Sequence, residues 1–78
     1  MVITSGNTGF TQQITGERKL RVQVVAGSGS ASIEGNQDGI GFTTIKEYTG
    51  DDWEMLDVAN CIVKFNVTGD AVLSVIIS

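Results

Sequence analysis

The last eighteen residues, Cys61–Ser78, read CIVKFNVTGDAVLSVIIS and constrain the fold more than any other stretch. Two β-prone runs meet at Gly69-Asp70, and Gly at the first central position suits a type II′ hairpin turn. Pairing Thr68 with Ala71 sets Val67 opposite Val72, Phe65 opposite Ser74 and Val63 opposite Ile76, which makes that face core. The other face is polar on the first strand, with Lys64, Asn66 and Thr68. On the second strand it carries Leu73, Val75 and Ile77. A strand that is apolar on both faces is covered on both, and one antiparallel layer cannot supply two covers. The second cover is the chain's own second sheet or a sister subunit. A chain of 78 residues makes one domain and buries little more than about 60% of its unfolded surface. The subunit is therefore the expected cover, with Leu73, Val75 and Ile77 as the oligomer interface.

Other routes to stability are closed by composition. Cys61 is the only cysteine, so no disulfide forms within the chain. With no His and one thiol, a Cys/His zinc site is excluded as well, and no cofactor or metal is expected. The formal net charge of −4 argues against nucleic acid, whose phosphates need a basic surface. Three of the five cations cluster at Arg18, Lys19 and Arg21, where they dress a strand edge or meet an acidic partner. No stretch reaches the roughly 18 apolar residues of a membrane helix. The start, MVITSGNTGF, has neither the charged region nor the apolar run of a signal peptide, so synthesis in a cytosol is expected.

Glycines fall between β-like runs, and there is no proline. Residues 1–9 form an N-terminal arm or first edge strand, and 10–78 the single β-domain. Phe10–Thr15 alternates, Gly16-Glu17 turns, and Arg18–Ala26 points Leu20, Val22 and Val24 one way and Lys19, Arg21 and Gln23 the other. Ser30–Glu34 and Phe42–Tyr48 follow as strands around the polar loop Gly35–Gly41. Asp51 with Glu54 three residues on matches a capping box, so one helical turn near 51–57 competes with a short strand or a loop. Six to seven strands at regular spacing, with no long helical pattern, predict an all-β, small antiparallel sandwich of jelly-roll type.

No motif carries chemistry strongly. Glu34, Asn36 and Asp38 stand at alternate positions before Gly39, like the start of a calcium loop. The twelfth position is Ile45 rather than Glu, and ordinary turns demand the same residues. Asp51, Asp52, Glu54 and Asp57 offer carboxylates, but such a run beside a turn reads as a solvated face. Tyr48 and Trp53 offer aromatic faces for a sugar, and a sole Trp equally anchors a core or an interface. The chain is therefore expected not to be an enzyme.

Ser30-Ala31-Ser32-Ile33-Glu34-Gly35-Asn36-Gln37-Asp38-Gly39, then Phe42-Thr43-Thr44-Ile45, resembles small virion proteins of tailed bacteriophages. The ending Phe65-Asn66-Val67-Thr68-Gly69-Asp70-Ala71-Val72-Leu73-Ser74-Val75 is similar to the closing strands of such proteins. The resemblance spans roughly residues 18–78 and implies a capsid decoration (cement) protein, or a head- or tail-fibre component. It implies a homotrimer on the virion surface, made in the host cytoplasm, docked on the major capsid protein and without catalytic residues. Arg18, Lys19, Arg21 and Trp53 are the expected partner contacts, with a small carbohydrate- or ligand-binding module as the alternative. Thr49–Asn60 has no counterpart in the resemblance.

Overall fold

The computed structural model describes all residues, Met1–Ser78, and is all-β. Six strands run in order: β1 (Val2–Ile3), β2 (Phe10–Val25), β3 (Ser30–Asn36), β4 (Thr43–Tyr48), β5 (Asp52–Thr68) and β6 (Val72–Ile77). They form one antiparallel sheet with the order β1-β6-β2-β5-β3-β4. Val2–Ile3, in the segment expected as arm or edge strand, pairs with Leu73–Ser74.

Two long strands organise the sheet. β2 spans 16 residues and β5 spans 17, and they pair along almost their whole length. The predicted turn at Gly16-Glu17 is instead a bulge inside one continuous strand: the register jumps between Ile14–Cys61 and Glu17–Ala59. Gly16 takes φ +74° and Asn60 φ +46°, the left-handed region that Gly and Asn tolerate best. The Asn60 Oδ1 accepts the Gly16 N–H at 2.8 Å, which locks the corner. Nor is there a helical turn near 51–57, since Asp52–Asn60 is the first half of β5. Residues 53–58 alternate in burial with period two, because β2 offers a complete ladder of partners.

At this corner the sheet turns back on itself. A front half holds β1, β6, Arg18–Val25 of β2 and Asp52–Val58 of β5. A back half holds Phe10–Ile14 of β2, Cys61–Thr68 of β5, β3 and β4. With each long strand counted as two segments, the front order β1, β6, β2, β5 and the back order β2, β5, β3, β4 are consistent with a jelly-roll sandwich. Both halves feed one core: Leu20, Val22, Leu73 and Val75 from the front meet Ile33, Val63 and Phe65 from the back, and none is more than 1% exposed.

The closing segment folds differently from its expected hairpin. The turn at Gly69 exists, with φ +60° and the Ala71 N–H donated to the Thr68 carbonyl at 3.3 Å. The strands on either side of it do not pair. β5 continues in the back half beside β3, and β6 crosses to the front half beside β2 and β1. A second crossover, Ala26–Gly29, stacks against this turn: the Ser28 N–H and hydroxyl both donate to Asp70 Oδ1, at 2.8 and 3.0 Å. A Cβ on Gly29 would fall 2.0 Å from the Thr68 carbonyl oxygen, so only glycine fits between the crossovers.

This crossing corrects the interface assignment. Leu73 and Val75 are 0% exposed and lie in the chain's own core, with Ile77 packed half-buried against it. The second cover of β6 on that side is the back half of the same chain. Val72, Ser74 and Ile76, which the hairpin register had placed inside, face outward.

Candidate functional site

The outer surface of the front half is the candidate site, and strand register builds it row by row. Trp53, Gln23, Ser74 and Val2 form one row across β5, β2, β6 and β1. Met55, Arg21 and Ile76 form the next, and Asp57 and Lys19 a third. Val25 and Val72 close the end nearest the crossovers. Period-two alternation sends these side chains outward, because the opposite parity of the same strands supplies Ile3, Leu20, Val22, Val24, Leu73 and Val75 to the core, with Leu56 packed against it. Trp53 is 73% exposed, Met55 63% and Ile76 51%, with Val2, Val25 and Val72 also open. Lone exposed hydrophobes are ordinary, whereas several on one sheet face form a patch.

Charge on this face is sparse and uneven. Lys19 Nζ donates to Asp57 Oδ1 at 2.8 Å, with both side chains largely exposed. The hydrogen bond to Asp57, helped by its charge, holds the Lys19 ammonium above its ordinary pKa. The ion pairs of the chain are Lys19–Asp57, Lys46–Glu54 and Lys64–Glu34, so Arg21 stands between Met55 and Ile76 without a counter-ion.

The outer surface of the back half is built in the opposite way. Asn66 Nδ2 donates to Glu34 Oε2 at 2.7 Å and to Ser32 Oγ at 3.3 Å. Lys64 lies 3.9 Å from the same carboxylate and 4.3 Å from the centre of the Phe42 ring. The hydroxyls of Ser30 and Thr68 pair at 2.8 Å. Most polar groups there are linked within the chain, with Asn36 Oδ1 buried without a partner and Ile62 the open apolar side chain among them, while the front face leaves a run of apolar side chains and one guanidinium to solvent.

Of the expected partner contacts, Lys19, Arg21 and Trp53 come together on the front face. Arg18 does not: its register partner is Val58, on the opposite parity, and its Nη1 donates to the Glu17 carbonyl. The face's other residues, Val2, Val25, Met55, Val72 and Ile76, were missed. Their signal lay in parity: Trp53 and Met55 alternate once Asp52–Asn60 is read as strand, and Val72 and Ile76 alternate with Leu73 and Val75.

The other candidates disperse. Glu34 is committed to Asn66 and Lys64, while Asp38 is exposed at φ +71°, so the Gly35–Gly41 loop does not gather its oxygens. The acidic run is spent on separate structural contacts. Asp51 accepts the Ala26 N–H, Asp52 the Trp53 N–H, Glu54 the Tyr48 hydroxyl at 2.7 Å, and Asp57 meets Lys19. Tyr48 is buried at 3% exposure, and burial first, then its bond to Glu54, pushes its hydroxyl pKa well up. Trp53 faces outward from the other layer, so the two aromatics form no common platform for a sugar.

Comparison with protein-family models, with curated proteins and with solved structures finds no match to this chain.

Proposed function

We propose that the chain is a non-enzymatic structural protein of a virion, a capsid decoration (cement) protein. It docks through the front face, made in the host cytoplasm and displayed on the shell it stabilises. The carrying observation is the contrast between the two outer surfaces: a run of exposed apolar side chains around an unpaired Arg21 in front, a mostly polar surface of linked side chains behind. Such a face suits a partner of acidic and apolar character, here the major capsid protein. A protein that binds only the assembled shell stabilises that state by mass action. The bacteriophage class rests on the sequence resemblance, and the docking role on the face. Self-association remains part of the reading, but a trimer cannot use Leu73 and Val75, which the chain itself buries.

Two measurements test this. A capsid or portal gene beside the coding sequence supports the class, and its absence from the locus counts against it. Co-sedimentation with assembled shells of the source phage tests the face: Ile76→Lys and Arg21→Glu should abolish binding while leaving the far-UV CD spectrum unchanged. Retained binding by both variants overturns the assignment of the face.

A further inference from the structure

The first half of β5 is an edge. Over Asp52–Ala59 it pairs only with β2, whereas from Ile62 onward it has β3 on its other side. The Trp53 N–H is accepted by the Asp52 side chain, so odd-numbered residues present their backbone groups on the free side. Met55 and Asp57 therefore offer two N–H and two C=O groups to an incoming strand.

Natural proteins guard such edges with charges directed at the intruder. Here the carboxylates have partners within their own chain: Asp52 the Trp53 N–H, Glu54 the Tyr48 hydroxyl and Lys46, and the exposed Asp57 the Lys19 ammonium. Two of the three carboxylates on this edge, Glu54 and Asp57, thus have a cation of their own chain beside them.

We propose that this edge pairs with the same edge of a second copy, antiparallel and about a two-fold axis, with Leu56 opposite the partner's Leu56. This register brings Met55 opposite the partner's Asp57, and Glu54 opposite the partner's Val58. No carboxylate meets a carboxylate, whereas centring the axis on Glu54 or Asp57 sets like charges directly opposite each other. Four backbone hydrogen bonds form from Met55 and Asp57 of the two copies, and none needs the occupied Trp53 N–H. Trp53 falls opposite the partner's Ala59. Ala59 is a small exposed residue beside a shallow depression of about 610 Å³ bordered by Glu17, Lys19 and Asp57. The indole gains a seat there, and the half-buried Leu56 side chains meet across the axis. The product is one continuous sheet across two copies with a single enlarged front face, a closed isologous pair. The pairing does not depend on what that face docks upon.

The test uses the sole Trp and the whole chain. In size exclusion with light scattering, the wild type should run at twice the 8.3 kDa of one chain and dissociate on dilution. Trp53 emission should shift to the red as it does. Met55→Pro removes a backbone N–H that the folded chain does not use, and should give a folded monomer with red-shifted emission. Ala59→Arg, which fills the indole's seat, should do the same, and decides the matter if the proline variant fails to fold. A wild-type monomer at high micromolar concentration, a trimer, or a dimer that survives Ala59→Arg overturns the proposal.

Discussion

Substitutions on the two faces of β6 should differ sharply in cost, because the strand's parity decides which side chains are core. Leu73 is 0% exposed and its successor but two, Ile76, is 51% exposed. Leu73→Ala removes three buried carbons, about 2.4 kcal/mol at ~0.8 kcal/mol per methylene. The residual cavity adds to this, since Leu20, Val22, Ile33 and Phe65 are held by their own strands and collapse only in part. The total should be about 3–4 kcal/mol. A chain of 78 residues has roughly 4–12 kcal/mol in all, so the variant stands near its unfolding threshold. Ile76→Thr keeps the β-branch and changes a half-solvated side chain, so it should cost no more than about 1 kcal/mol. Urea unfolding followed by far-UV CD, at one fixed protein concentration, measures both. With a slope near 1 kcal/mol per molar, Leu73→Ala should lower the midpoint by about 3 M. Equal losses, or a larger loss for Ile76→Thr, would refute the parity and with it the front face.

Further outcomes follow from the corner, the crossovers and the buried tyrosine. Asn60→Ala should cost about 1–3 kcal/mol by urea titration, through the left-handed backbone and the lost bond to Gly16, with Asn60→Gly recovering part of it. Gly29→Ala should destabilise more than any other single-methyl addition in the loops, because its Cβ would meet the Thr68 carbonyl oxygen. Tyr48→Phe should lose about 1–2 kcal/mol, as Glu54 forfeits its hydroxyl donor and keeps only Lys46 at 3.7 Å. Donation by the Ser28 N–H, then by its hydroxyl, holds the Asp70 carboxyl below its usual range. Its stabilisation is thus complete above the unfolded carboxylate value and is lost as pH falls through the lowered folded one. Asp70→Asn should flatten this acid limb in a pH series of thermal melts, and an unchanged limb would show that the crossover contact contributes nothing.

Sequence alone reached the β-class and the alternation of Leu20, Val22 and Val24, because period two is a local property, while its six to seven strands were cut differently from the six observed. It reached the turn at Gly69 for the same reason. It failed wherever a strand's partner was non-local. Nothing near Gly69 says that β6 crosses to β2, and a hairpin assumption at that point inverts the facing of all of β6. The bulge at Gly16 reads as a turn because Gly-Glu marks both, and only Asn60, 44 residues later, distinguishes them. The site followed suit: Lys19, Arg21 and Trp53 were visible as an odd cluster of types, while Val2, Val72 and Ile76 needed the register.

The corner at Gly16 and Asn60 has a consequence for the order in which the molecule comes apart. Because β2 and β5 run unbroken through both halves, neither half can melt while the other keeps its ladder. The amides bonded between β2 and β5 should therefore exchange with deuterium only through global opening, at one common free energy, whereas the free-side amides of Met55 and Asp57 exchange without it. β1, with two residues, and the outermost strand β4 should exchange earlier by fraying. Two layers joined by loops alone could loosen separately. Joined by shared strands, they form a single cooperative unit.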